Sequence, residues 1–202
     1  MIEAKNLGKF YQDTILFDAS SFILPDQGFY LLTGDNRSGK TTLLCLLAQL
    51  DFSYRGELWI AGKKMSLLKP KERRRFAKEN ISLTFSKNNF FDDLSPEANA
   101  TLGTVRQDLS LIPTLLGRSD SCGLSGGEEL LVSIQHVINA DHPIRLFDEV
   151  TSGLDEANFS LVLQLLKQMS QTSLVILAHH DDRLSGQGKE IAIANQRIVI
   201  RP

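Results

Sequence analysis

An apolar run at residues 29–33 ends in Gly34-Asp35-Asn36-Arg37-Ser38-Gly39-Lys40-Thr41 and passes into a leucine-rich stretch over residues 41–50. These eight residues fit G-x-x-x-x-G-K-[ST], a pattern that has a mechanism only where it joins a strand to a helix, as it does here. With glycine near 7% of average usage, a chance match in a chain of this length is on the order of one percent. An ordinary glycine turn is therefore a poor explanation. The glycines let backbone N–H groups turn inward around a phosphate, and a helix N-terminus adds favourable potential for the anion. Lys40 would bridge the β- and γ-phosphates of a nucleotide, and Thr41, followed by Thr42, would offer its hydroxyl to Mg²⁺.

The rest of the chain extends the same strand-then-helix pattern. Residues 2–11, 15–24 and 29–33 read as short strands separated by Gln12-Asp13 and Pro25-Asp26-Gln27-Gly28. Residues 41–50 read as a helix with Leu43, Leu44, Leu46, Leu47 and Leu50 on one broad apolar face. A strand at 57–60, a charged helix at 70–80 and a strand at 81–85 follow, then an irregular helical stretch at 95–122 broken by Pro96, Gly103, Pro113 and Gly117. Beyond it lie a helix at 127–140, a buried strand at 144–147, and a helix at 155–170 carrying Leu161, Val162, Leu165, Leu166 and Met169. A strand at 173–178 and a closing hairpin at 190–200, turned at Asn195-Gln196, complete the chain. Alternation of this kind favours a layered α/β core.

Composition narrows the function classes. At 202 residues, 42% hydrophobic and 23% charged, the chain supplies one domain, with a small helical sub-lobe spanning about 86–140. A net charge of −2 gives no electrostatic reason to expect nucleic acid. The Arg73-Arg74-Arg75 run is interleaved with Glu72 and Glu79 and reads as a solvated helix face. Cys45 and Cys122 lie far apart without CxxC spacing, so neither a disulfide framework nor a zinc site is indicated, and a reduced cytosolic compartment fits. No run approaches the roughly 18 apolar residues that span a bilayer, so any membrane role requires another polypeptide.

Four further segments bear chemistry. Gly123-Leu124-Ser125-Gly126-Gly127-Glu128 is a second glycine turn with a serine, well downstream of the first. The strand at 144–147 ends in Asp148-Glu149, adjacent carboxylates whose side chains diverge by strand alternation. Asp148 would hold Mg²⁺ and Glu149 would act as general base toward an attacking water. Taken alone such a pair is more often a solvated turn or a helix cap; the Thr151-Ser152-Gly153-Leu154-Asp155 that follows makes it specific, with Asp155 also placed to cap the next helix. His179-His180-Asp181 follows an apolar strand, and an imidazole there can hydrogen-bond a γ-phosphate and orient water; the alternatives are a surface histidine pair and, more weakly, a metal site. Tyr11 stands upstream of the phosphate loop, at a strand end where a lone aromatic is usually core.

In this order, Tyr11, the phosphate loop, Leu-Ser-Gly-Gly, Asp-Glu, Ser-Gly-Leu-Asp and His cover nearly the whole chain and resemble the nucleotide-binding subunit of ATP-binding cassette (ABC) transporters. The resemblance implies an α/β P-loop NTPase core with an antiparallel β subdomain and a short helical subdomain. It implies ATP and Mg²⁺ as ligands, with Gly34 through Thr42 and Tyr11 on the nucleotide, Thr41 and Asp148 on the metal, and Lys40, Glu149 and His180 as the catalytic set. Ser125, Gly126 and Gly127 would close over the γ-phosphate held by a second cassette, in a homo- or heterodimer that drives a membrane permease from the cytoplasmic face. A regulatory cassette that binds ATP and pairs with a more active subunit is the alternative. The segment 69–85 also resembles exporters of the lipoprotein-release and antimicrobial-peptide type. Departures are local: Ser86 at the Q-loop glutamine, Arg37 for a small residue, Glu128 for glutamine, Leu131 for arginine and Val150 for proline. Since the chemical residues remain, these departures imply a competent ATPase that is slow or tightly regulated.

Overall fold

The computed structural model describes residues 1–11, 14–85 and 90–201. β1 (Ile2–Tyr11) and β2 (Thr14–Leu24) pair antiparallel, and the connecting Gln12-Asp13 lies outside the described residues. β3 (Gly28–Gly34) leads through the phosphate loop into α1 (Lys40–Leu47). β4 (Arg55–Ile60) and the two-residue β5 (Lys63–Lys64) complete a four-stranded antiparallel sheet ordered β2-β1-β4-β5. α2 (Pro70–Asn80) starts where proline is tolerated, and the Glu72 carboxylate accepts from the Lys69 amide at 2.8 Å. β6 (Ile81–Thr84), α3 (Pro96–Thr101), α4 (Gly126–Ala140), β7 (Ile144–Asp148), α5 (Glu156–Met169) and β8 (Leu174–Ala178) follow. β9 (Lys189–Ala194) and β10 (Arg197–Arg201) close the chain, turning at Asn195 and Gln196 with φ of 49° and 58°, the paired left-handed residues that a two-residue hairpin needs.

The second sheet has six strands ordered β10-β9-β3-β8-β7-β6. β3, β8, β7 and β6 run parallel, β9 is parallel to β3, and β10 returns antiparallel. β7 and β8 are buried at every residue because helices and the other sheet cover both faces, which is why they read as unbroken apolar runs. One face packs with α1 and the antiparallel sheet around Leu32, Leu44, Leu58 and Ile176. The opposite face packs on α4 and α5 through Leu31, Ile134, Phe147, Val162 and Leu177. A small separate cluster of Ala100, Ile112, Leu115, Leu124 and Val132 holds the irregular helical stretch against α4.

Two apolar faces differ from the periodic reading. α1 stops at Leu47 and Gln49 turns left-handed (φ 59°), which swings Leu50 out to 62% exposure instead of onto the apolar face. In α5 the core face is Phe159, Val162, Leu166 and Met169, spaced 3, 4 and 3, whereas Leu161 faces outward. β5 and a short 3₁₀ turn at Met65–Leu67 are elements the periodicity did not signal.

Candidate active site

The parallel strands deliver their C-terminal ends to one edge, where the phosphate loop leaves β3 and Asp148 ends β7. Open α/β sheets place ligands at that edge. Three loop residues take positive φ: Gly34 at 145°, Arg37 at 66° and Gly39 at 104°. A Cβ on Gly34 would sit 2.7 Å from both Ser38 Oγ and Ile193 O, and one on Gly39 would meet Leu16 and Phe17 at 3.3 Å, so the turn admits only glycine there. Arg37 accepts the left-handed conformation at some strain, and the loop forms with it in place.

Lys40 is buried, its Nζ donating to Gly34 O at 2.9 Å and Asp35 O at 3.1 Å across the loop. Burial pushes its pKa down, against the pull of Glu149, Asp148 and Asp35. The Thr41 hydroxyl donates to Asp148 Oδ2 at 2.7 Å. Asp148 is raised above the usual carboxylate range by burial first and by Glu149, while Thr41, Lys40 and His180 oppose the shift. Ser38 Oγ is buried without a hydrogen-bond partner among the described residues.

Glu149 does not continue β7. Its φ of 57° reverses the chain, and its amide donates to Ala178 O at 2.8 Å. This reversal, not strand alternation, separates the two carboxylates, and it directs Glu149 Oε1 to 3.3 Å from His180 Nε2. His180 is the member of the pair that reaches the site. His179 turns into the body at 9% exposure, its Nδ1 accepting from the Asp181 amide at 3.2 Å, and burial lowers its pKa. Tyr11, Leu16, Asn36, Arg37, Gly39, Lys40, Thr41, Thr42, Glu149 and His180 surround one cavity of about 310 Å³.

Ser125, Gly126 and Gly127 are not among the residues around that cavity. They form the start of α4, where Glu128 Oε2 accepts from both the Ser125 amide (2.7 Å) and its hydroxyl (2.8 Å). A Cβ on Gly126 or Gly127 would meet nothing within 4 Å among the described residues, so packing against them does not require glycine at either position. Ser86 lies outside the described residues. Arg183 was not singled out from sequence. Its guanidinium grips Asp181 at 2.7 Å, reaches Leu154 O and Thr151 O at 3.4 and 3.5 Å, and stacks 3.9 Å from the Phe159 ring centroid. It thereby joins the segment after Glu149 to the one after His180, and only a charged residue three positions beyond the histidine hinted at that.

Comparison with known proteins agrees with this fold. A family model described as ABC transporter matches residues 17–152, about two thirds of the chain. The macrolide export ATP-binding/permease protein MacB of Escherichia coli is 27% identical over 95% of this chain, and the mycobactin import ATP-binding/permease protein IrtB of Mycolicibacterium thermoresistibile is 31% identical over 86%. The chain spans about a third of the length of each (32% and 34%). A Methanocaldococcus jannaschii protein described as an ABC transporter ATP-binding protein, MJ1508, is 26% identical, with 95% of this chain and 94% of that one covered. Among solved structures, the ATP-binding cassette MJ0796, a dimer bound to ADP and Pi, superposes with a TM-score of 0.87 at 22% identity, covering 98% of this chain and 96% of that one, which establishes a shared fold. The chain belongs to the ABC transporter family.

Proposed function

We propose that this chain binds and hydrolyses ATP as one of two cassettes that close on two MgATP and drive a separate membrane permease. The observation that carries the reading is the convergence of Lys40, the Thr41–Asp148 pair and the Glu149–His180 pair, contributed by three strand ends, on one edge of the sheet. Hydroxyl and carboxylate oxygens are the donors Mg²⁺ prefers, so Thr41 and Asp148 suit it and would hold it, and it would supply charge neutralisation at the phosphates. The inward-turned loop between Gly34 and Gly39, with the orphaned Ser38 hydroxyl, suits a phosphate. Glu149 would take the proton of the attacking water, and His180, touching Glu149, would orient that water.

A second copy or a related cassette would complete the site. Gly126 and Gly127 meet no steric demand from the described residues of their own chain, which supports a ligand or partner approaching their backbone from outside. The permease, and attachment to the inner face of a membrane through it, follow from the export and import proteins this chain resembles. No helix among the described residues is long and apolar enough to cross a bilayer. Residues 1–202 would act as one cassette domain with a helical sub-lobe from about 86 to 140, whose segment near 86–99 would move the membrane partner.

One observation favours a regulatory cassette as the second reading: Glu128 occupies both donors of Ser125. Turnover measured against protein concentration, alone and mixed with a candidate partner cassette, decides between them. The leading reading expects a rate per chain that rises with concentration of this chain alone. Turnover only in the mixture supports the regulatory one.

A further inference from the structure

Lys9 is 1% exposed, among the largest side chains fully enclosed in the protein. Its Nζ donates to Asp51 Oδ2 and to Ser53 O, each at 2.7 Å. The Lys9 side chain is enclosed while that of Asp51 keeps 23% exposure, and replacing a buried charge of this kind by apolar residues of similar volume is often neutral or stabilising, so the pair is weak evidence for a stability role. The ammonium lies 4.5 Å from the centroid of the Tyr11 ring. The same Asp51 oxygen that takes Lys9 also accepts from the Tyr11 hydroxyl, at 3.3 Å. Tyr11 is therefore held at its ring by the cation and at its tip by the carboxylate. Tyr11 as a residue remains 49% exposed and borders the phosphate-loop cavity.

We infer that Lys9 and Asp51 are positioning residues that fix the Tyr11 ring, one face against the ammonium, so that its other face receives the adenine base of the nucleotide. This rests on the proposed reading of Tyr11 as the base platform. Two effects follow from the geometry. A ring held before binding loses less rotamer freedom when the base arrives. An ammonium on the far face draws ring electron density toward itself, leaving the presented face poorer in electrons and better matched to an electron-rich purine. Burial pushes the Asp51 carboxyl up, but Lys9, the Ser53 amide and the Tyr11 hydroxyl outweigh it, so the group sits below the usual range and is ionised at neutral pH.

The test measures calorimetric affinity of the full chain for MgATP and for inorganic tripolyphosphate, which lacks the base. Tyr11→Ala is expected to weaken ATP by about 5- to 150-fold, the range that base stacking spans, and to leave tripolyphosphate unchanged. Lys9→Met and Asp51→Asn are expected to follow, losing at least about fivefold for ATP alone. Asp51→Asn keeps an acceptor for the enclosed ammonium and carries the same test if Lys9→Met does not fold. If both bind ATP like wild type while Tyr11→Ala does not, the positioning role is overturned and the platform stands. An unaffected Tyr11→Ala overturns the platform, and equal losses for both ligands reduce Lys9 and Asp51 to structural residues.

Discussion

Thr41→Val tests the joint between the phosphate loop and the metal-holding carboxylate. Valine keeps the volume and branching of threonine and deletes only Oγ1, the donor 2.7 Å from Asp148 Oδ2. Asp148 is 8% exposed, so water replaces the lost bond poorly. A hydrogen bond to a charged group contributes roughly 1.5–3 kcal/mol, which for a domain of this size lowers Tm by about 3–12 °C. The pH dependence is specific. Burial raises Asp148 above its usual 3.8, so its ionised form costs stability at neutral pH, and that cost is gone below 3.8, where the carboxyl is protonated both folded and unfolded. Deleting Thr41, which opposes that rise, raises Asp148 further. The deficit of the variant is therefore greatest at neutral pH and narrows on acidification. Urea unfolding without nucleotide or Mg²⁺, across a pH series, measures it directly. A deficit within about 0.5 kcal/mol of zero at neutral pH, the range of neutral surface changes, or one that stays constant with pH, refutes the reasoning.

Two other expectations come from elsewhere in the chain. His136, His142 and His179 are all held below the usual 6.5, in each case chiefly by burial. Unfolding makes them take up protons, so the stability they contribute is present above 6.5 and is lost as pH falls beneath it. Calorimetric Tm should decline below that point, and His136→Asn should flatten part of the decline. At the start of α4, Glu128→Gln keeps an acceptor for Ser125 while removing the carboxylate charge beside it. If a partner's phosphate approaches there, ATP-dependent association measured by sedimentation should tighten by roughly tenfold, since like-charge juxtaposition at an interface is costly; unchanged association counts against that approach.

Much of the site was readable from sequence because its parts are local. Asp148 ends β7 with Glu149 next to it, His180 lies just beyond β8, and Lys40 and Thr41 open the helix reached from β3 through one short loop. Strands buried on both faces announce themselves as apolar runs. The illegible parts depend on backbone reversals or on distant partners. Leu50 and Leu161 follow the apolar count but not the helical phase, which a left-handed Gln49 and the true spacing of Phe159, Val162, Leu166 and Met169 determine. The left-handed Glu149 is not encoded by any residue type that favours positive φ; it is held by hydrogen bonds from its amide to Ala178 O in the neighbouring strand and from the Ser152 amide to its carbonyl. Lys9 finds Asp51 across 42 residues and Arg183 finds Leu154 across 29, pairings that no local pattern signals.

Hydrolysis at this edge of the sheet depends most directly on Glu149. With Glu149→Gln, ATP hydrolysis should fall by ~10²–10⁴-fold, the range a positioned general base supplies. Affinity for MgATP should remain near that of the unaltered protein, because Lys40 and the phosphate loop are untouched. A variant that hydrolyses ATP at the wild-type rate would contradict the assignment of this edge of the sheet as the site of hydrolysis.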